Sequence, residues 1–156
     1  MKTRVVCRHA TWKYEPLPIG PTEGQGPPPD TAVAEAKRTR WSKAAEQSPP
    51  GDVDTLRGDL DEGRPVVLGV LTFSEWDLPA VAETGEIILP ALLSPPDGGH
   101  AICLVGYELR PNAPGGGVFL FRNSWSKSWA SRSRYRAGYG TLFFEYVRQY
   151  TLEAYR

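Results

Sequence analysis

Cysteine is scarce in this chain: Cys7 and Cys103 are the two in 156 residues. Two cysteines cannot build a disulfide framework, so a small disulfide-stapled fold is excluded. Long apolar runs are missing as well, since none approaches the ~18 residues a membrane helix needs. Residues 1–7 begin with charge but lack the apolar core of a signal peptide. A secreted or membrane-bound form is therefore not expected, and the cytoplasm is the default location. Nor is there an excess of charge of one sign: 18 basic residues balance 18 acidic ones, leaving no electrostatic footprint for nucleic acid. What the chain does have is glycine (16), proline (15), five Trp and seven Tyr. The glycine and proline content argues against a long helical bundle, and the aromatic content against disorder. The length suits one domain, or one half of a two-part domain.

Proline dominates the start of the chain, with Pro16, Pro18, Pro21 and Pro27-Pro28-Pro29. Residues 1–30 are expected to be irregular, and residues 31–156 to form the folded subdomain. A helix is predicted from Ala32 to Glu46, capped by Asp30 or Thr31 and built from good helix formers. A second is predicted from Asp52 to Glu62, with Asp52 as cap, Val53, Leu56 and Leu60 on one face, and Gly63 as the stop. The apolar run Val66–Leu71 reads as a buried strand. Residues 73–99 read as loop. Further strands are expected at Ala101–Tyr107, Val118–Arg122, Tyr139–Phe144 and Tyr150–Tyr155, with Gly115-Gly116-Gly117 as a turn. Helices followed by short strands indicate an α+β fold with an antiparallel sheet or partial barrel.

Two segments carry polar residues suited to chemistry. In Gly98-Gly99-His100-Ala101-Ile102-Cys103-Leu104-Val105-Gly106-Tyr107, a histidine stands where a glycine-rich loop enters an apolar strand. Alone, such a histidine is ordinarily a strand-end residue satisfied by solvent or a carbonyl. As a functional group it would be a general base on a rigid element. In Phe119-Leu120-Phe121-Arg122-Asn123-Ser124-Trp125-Ser126-Lys127-Ser128-Trp129, an apolar strand ends in Asn, followed by two Trp four residues apart. Alone, this is a turn-forming Asn beside locally packed indoles. An Asn amide can also orient an imidazole by accepting its ring N–H, and an indole can shield that bond from water.

Together the segments resemble the papain-like cysteine peptidases of the bacterial type. That family carries His-Ala-Val leading to Val-Gly-Tyr, then Arg/Lys-Asn-Ser-Trp-Gly-x-x-Trp-Gly, then a Gly-Tyr-Gly strand. The matching residues are Gly99-His100-Ala101, Val105-Gly106-Tyr107, Arg122-Asn123-Ser124-Trp125, Trp129 and Gly138-Tyr139-Gly140. Leu60–Val67 resembles the family's entry strand, and Phe143–Val147 resembles its bacterial branch. The resemblance runs from about Leu56 to Tyr155. It implies the β-barrel-like subdomain of that fold, with His100 as the catalytic base and Asn123 as its orienting amide. Trp125 would cover the Asn–His bond, and Gly98 and Gly99 would line the substrate-facing rim. Arg132-Ser133-Arg134-Tyr135-Arg136, which by itself reads as a solvated face, would border the primed side of the cleft and favour acidic substrates.

The departures are equally specific. The family's nucleophile lies in a Gln…Cys-Gly-x-Cys-Trp-like stretch at the start of a long helix that lowers the thiol pKa; nothing in this sequence matches it. Ser126 and Ala130 replace both glycines of the tryptophan motif, which would reshape the loop if those positions need positive φ. Cys103 alternates with His100 along one strand and should face away from it, as a core residue. Cys7 precedes a proline too closely for the activating helix, and its segment instead resembles the bacterial family's loop after that helix. A zinc set of Cys7, His9, His100 and Cys103 is opposed by the same alternation. No metal or cofactor is expected. The resemblance thus implies the His/Asn side of a thiol protease acting on a peptide or protein substrate. The nucleophile half would be a separate polypeptide, or the chain the product of a truncated or split gene, and an apolar patch near the site would be covered by a partner or by self-association. The rival expectation is an inactive module of the same fold that holds peptides without cutting them.

Overall fold

The structure is a computed structural model, and it describes residues 7, 8, 10–12, 28–38 and 45–156. The chain divides into two units, residues 1–44 and 45–156, each described by itself. In the first, α1 (Asp30–Arg38) buries Ala32 and Ala36, and Arg8 pairs with Glu35. The helix predicted from Ala32 does not extend to Glu46. Residues 39–44 lie outside the described residues, and Glu46 is already extended in the second unit. Its N–H donates to the Arg156 carbonyl, whose own N–H returns the bond. Pairing with the C-terminal strand overrides the local helix propensity there.

The second unit holds β1 (Gln47–Ser48), α2 (Val53–Asp61), β2 (Val66–Thr72), α3 (Pro79–Thr84) and β3 (Glu86–Ile87). It continues with β4 (Gly98–Leu109), β5 (Gly117–Arg122), β6 (Tyr139–Phe143), α4 (Phe144–Tyr150) and β7 (Thr151–Tyr155). One seven-stranded sheet runs β1-β7-β2-β4-β5-β6-β3. All pairs are antiparallel except β3–β6, which is parallel. This is the expected α+β class, with helices beside a multistranded sheet.

Local chemistry accounts for most of these elements. Asp52 caps α2: its carboxylate accepts from the Thr55 N–H and hydroxyl. Gly63, at φ +73°, ends the helix in the left-handed conformation a stop requires. Strand β2 was expected to be buried throughout. In fact it is buried on one face: Val66, Leu68 and Val70 are inaccessible, while Val67 is 47% exposed. The segment read as loop contains α3, because Pro79 occupies its first turn and Gly85, at φ +73°, closes it. Helix α4 also differs from expectation. Strands were expected to Phe144 and from Tyr150, with no element assigned between them, yet residues 144–150 form a helix that buries Phe144, Tyr146 and Val147 against the sheet.

One buried charge ties the end of the sheet together. Asp59, 2% exposed, accepts from Arg64 at 2.8 Å, from Arg156 at 2.8 Å and from the Ser48 hydroxyl at 3.3 Å. Burial opposes the carboxylate charge, but the two guanidinium groups outweigh it and hold the carboxyl below its ordinary value. A depressed folded-state pKa contributes stability above the unfolded value of about 3.9, and that stability is lost as pH falls through the folded pKa. Asp59→Asn should therefore lower stability by about 2 kcal/mol near neutral pH. It should also flatten the acid limb of a urea-unfolding series taken from pH 7 to pH 3, while an unaltered acid limb would refute the assignment.

Candidate active site

Strands β4 and β5 bring the two motif segments together. Cys103 lies opposite Arg122 in the antiparallel register, so the chain passing from Arg122 to Asn123 runs beside the start of β4. His100 Nε2 and Asn123 Oδ1 are 2.8 Å apart. The same oxygen accepts the Ser124 N–H at 2.8 Å. A backbone N–H can only donate, so it fixes which corner of the amide is oxygen. That oxygen can only accept, so His100 carries its proton on Nε2. In the neutral ring, Nδ1 is then the basic nitrogen, and it has no hydrogen-bond partner among the described residues.

Indoles enclose this pair. Trp125 lies over the imidazole at 4.8 Å between centroids and 30° between planes. Trp76 meets the same imidazole edge-on at 5.9 Å and also contacts Trp125 at 5.9 Å. Trp129 abuts Trp125 at 5.7 Å and 89°. Trp76 and its support were missed in the sequence, because residues 73–99 were read as loop. Its Nε1 donates to the Tyr146 hydroxyl at 2.7 Å, and that hydroxyl donates to the Leu71 carbonyl at 2.8 Å. Burial pushes the Tyr146 hydroxyl pKa far up, so it remains a donor. The Trp76–Tyr146 bond joins residues 70 positions apart, which no local pattern signals.

The other motif residues fall as follows. Gly98 and Gly99 open β4 and are exposed. Neither has positive φ, and a Cβ at either would meet nothing closer than Thr72 Oγ1 at 3.4 Å. Internal packing therefore does not demand glycine at these two positions. Cys103 alternates with the inward-facing Ile102 and Leu104. Burial pushes its thiol pKa up, against a smaller opposing pull from Arg122. Cys7 belongs to the first unit and is half-buried, and His9 lies outside the described residues. Among the described residues, no group of three or more His, Cys, Asp or Glu could hold a metal ion. No described helix is long and apolar enough to cross a membrane.

The tryptophan loop keeps left-handed backbone despite its substitutions: Ser126 has φ +72° and Ala130 φ +50°. The loop accepts the steric cost in place of glycine. Ser126 offsets part of it, since its Oγ accepts the Ser128 N–H at 3.2 Å. Ala130 is held by donating its N–H to the Ala82 carbonyl at 2.7 Å. Ser126→Gly is thus expected to be more stable than Ser126→Ala by about 1 kcal/mol in thermal unfolding. Equal stabilities would mean the left-handed conformation is not maintained.

No known family's sequence profile matches the chain. It is 28% identical over 148 residues to an uncharacterised peptidase C1-like protein of Acanthamoeba polyphaga mimivirus, covering 91% of this chain and 43% of the viral protein. It superposes on xylellain, a cysteine protease from Xylella fastidiosa, with a TM-score of 0.74 at 25% identity, covering 97% of this chain and 56% of xylellain. On the procathepsin L2 proteinase of the Tenebrio molitor larval midgut the TM-score is 0.62 at 18% identity, covering 97% of this chain and 42% of that one. The chain thus spans about half the length of the relatives it matches.

Proposed function

We propose, from the papain-like cysteine peptidase fold of which this chain carries a part, that it supplies the base side of a thiol-protease site. His100 is the general base and acid, Asn123 orients it, and Trp125 shields their bond. The observation that carries this reading is the shared Asn123 oxygen. By accepting from both Ser124 and His100, it presents Nδ1 as the free base. A thiol placed beside Nδ1 would pass its proton to that nitrogen. The thiolate would attack the peptide carbonyl, and the imidazolium would then protonate the leaving amine.

Two further features support the same reading. Gly98 and Gly99 are small without any internal reason, as expected where a peptide backbone passes close by. Trp125, 38% exposed beside the histidine, leaves apolar surface for a neighbour to cover. The nucleophile is the missing element. Cys103 lies on the other face of β4 from His100, and burial pushes its thiol pKa up; in this reading a Cys-bearing half from outside this sequence supplies the thiol. The substrate is a peptide or protein, and the partner is that second half.

Complementation tests this. The chain is combined, as a fusion or in trans, with the part of xylellain that it does not cover, and cleavage of a fluorogenic peptide is followed. Thiol-dependent cleavage is expected. His100→Ala should reduce it by about 10²–10⁴-fold and Asn123→Ala by about 10²-fold. If His100→Ala cleaves as fast as the unaltered complex, His100 is not the base. If the assembled complex binds peptide but never cleaves it, the fold serves as a peptide-holding module instead.

A further inference from the structure

We infer that a pocket beside Asn123 is a binding site for a phosphate-class oxyanion. The pocket holds about 380 Å³ and is lined by Arg122, Asn123, Ser124, Lys127 and Arg136, among others, with no acidic residue in its wall. That volume lies within the range of small-molecule sites. Arg122 ends β5, Lys127 lies in the tryptophan loop, and Arg136 lies just before β6, so three separate segments converge there.

The three cations are uncommitted. Arg122, Lys127 and Arg136 form no ion pair among the described residues, unlike their neighbours in the same loop. Arg132 pairs with Glu83 at 3.3 Å, and Arg134 lies over the Tyr135 ring at 5.6 Å. Of the basic run at residues 132–136, Arg136 is the arginine that the fold brings into this pocket. Three like charges around one cavity repel one another unless an anion lies between them. The hydrogen-bonding inventory points the same way. Asn123 is 8% exposed, and its Nδ2 is a buried donor with no partner. The Ser124 hydroxyl has no hydrogen-bond partner among the described residues either. Cations gathered around a wall that holds no carboxylate ask for an acceptor of high charge. A carboxylate would neutralise one of the three cations, whereas a phosphate dianion offsets two and offers more acceptor oxygens. Asn123 lines the pocket, and its unpaired Nδ2 is itself covered, so an anion would gain that donor only with a small shift of the amide. Its occupancy needs no cleavage, so it stands or falls independently of the peptidase reading.

Titration calorimetry on the full chain, at constant ionic strength, tests the site with inorganic phosphate and with acetate as the carboxylate probe. Saturable phosphate binding is expected, tighter than acetate. The double variant Arg122→Gln/Arg136→Gln should raise the phosphate Kd by about tenfold or more. Arg134→Gln, outside the pocket, should leave it unchanged, and circular dichroism verifies that each variant is folded. A phosphoserine peptide and its serine counterpart then separate two sources of the same group. Phosphopeptide binding about tenfold or more tighter than inorganic phosphate assigns the anion to a peptide; equal affinity assigns it to the free ion. Absence of saturable phosphate binding, acetate binding as tight as phosphate, or a double variant that binds like the unaltered protein would overturn the site.

Discussion

The Asn123 amide oxygen accepts two hydrogen bonds, one from Ser124 and one from His100, and the rest of the site is organised around that sharing. The Ser124 N–H belongs to the same turn, so it locks the amide relative to the end of β5. The locked amide in turn fixes the imidazole tautomer and leaves Nδ1 free. The His100 bond could not form unless β4 and β5 were paired in the observed register. Their pairing brings together two side chains 23 residues apart at one edge of the sheet. The geometry of the His–Asn pair is a by-product of strand register, and register is set by which apolar side chains face the core.

A layer of indoles protects that arrangement. Water would compete for the His–Asn bond if it reached it, and Trp125 covers the imidazole while Trp76 closes its edge. Trp76 can sit there because Tyr146 satisfies its Nε1 and passes the demand on to the Leu71 carbonyl. A buried indole N–H with no acceptor would cost about 1–3 kcal/mol. Helix α4, which carries Tyr146, is thus part of the site's foundation although it carries neither His100 nor Asn123. The left-handed residues Ser126 and Ala130 fit the same view. Their strain is tolerated because hydrogen bonds to Ser128 and Ala82 hold the loop that positions Trp125 and Trp129.

The charged surface divides into committed and uncommitted groups. Asp59, Arg64 and Arg156 satisfy one another around the C-terminal strand. Glu108 is held down to about 2 by Arg110 and the Tyr135 hydroxyl, which ties the loop after Trp129 back to β4. Against this background Arg122, Lys127 and Arg136 stand out as cations that form no ion pair among the described residues.

How much of this was legible in advance depends on the range of the interaction involved. Strands β4 to β6, the Asp52 cap of α2 and its Gly63 stop were readable because apolar runs, cap residues and turn glycines act over a few residues. His100, Asn123 and Trp125 were readable because their spacing follows a familiar motif. The extended pairing of Glu46, the one-sided burial of β2 and the helical state of α4 were not. Each depends on what packs against it: the C-terminal strand against Glu46, solvent beside Val67, and the sheet beneath Phe144, Tyr146 and Val147. Trp76 lay hidden in a segment whose prolines suggested only loop. By itself, then, the sequence determined local conformation and the identity of the polar pair, because both are written in neighbouring residues. The tertiary structure alone decided the histidine tautomer, the indole enclosure and the grouping of the three free cations. Those depend on distances between residues far apart in the chain, which only the packed sheet defines.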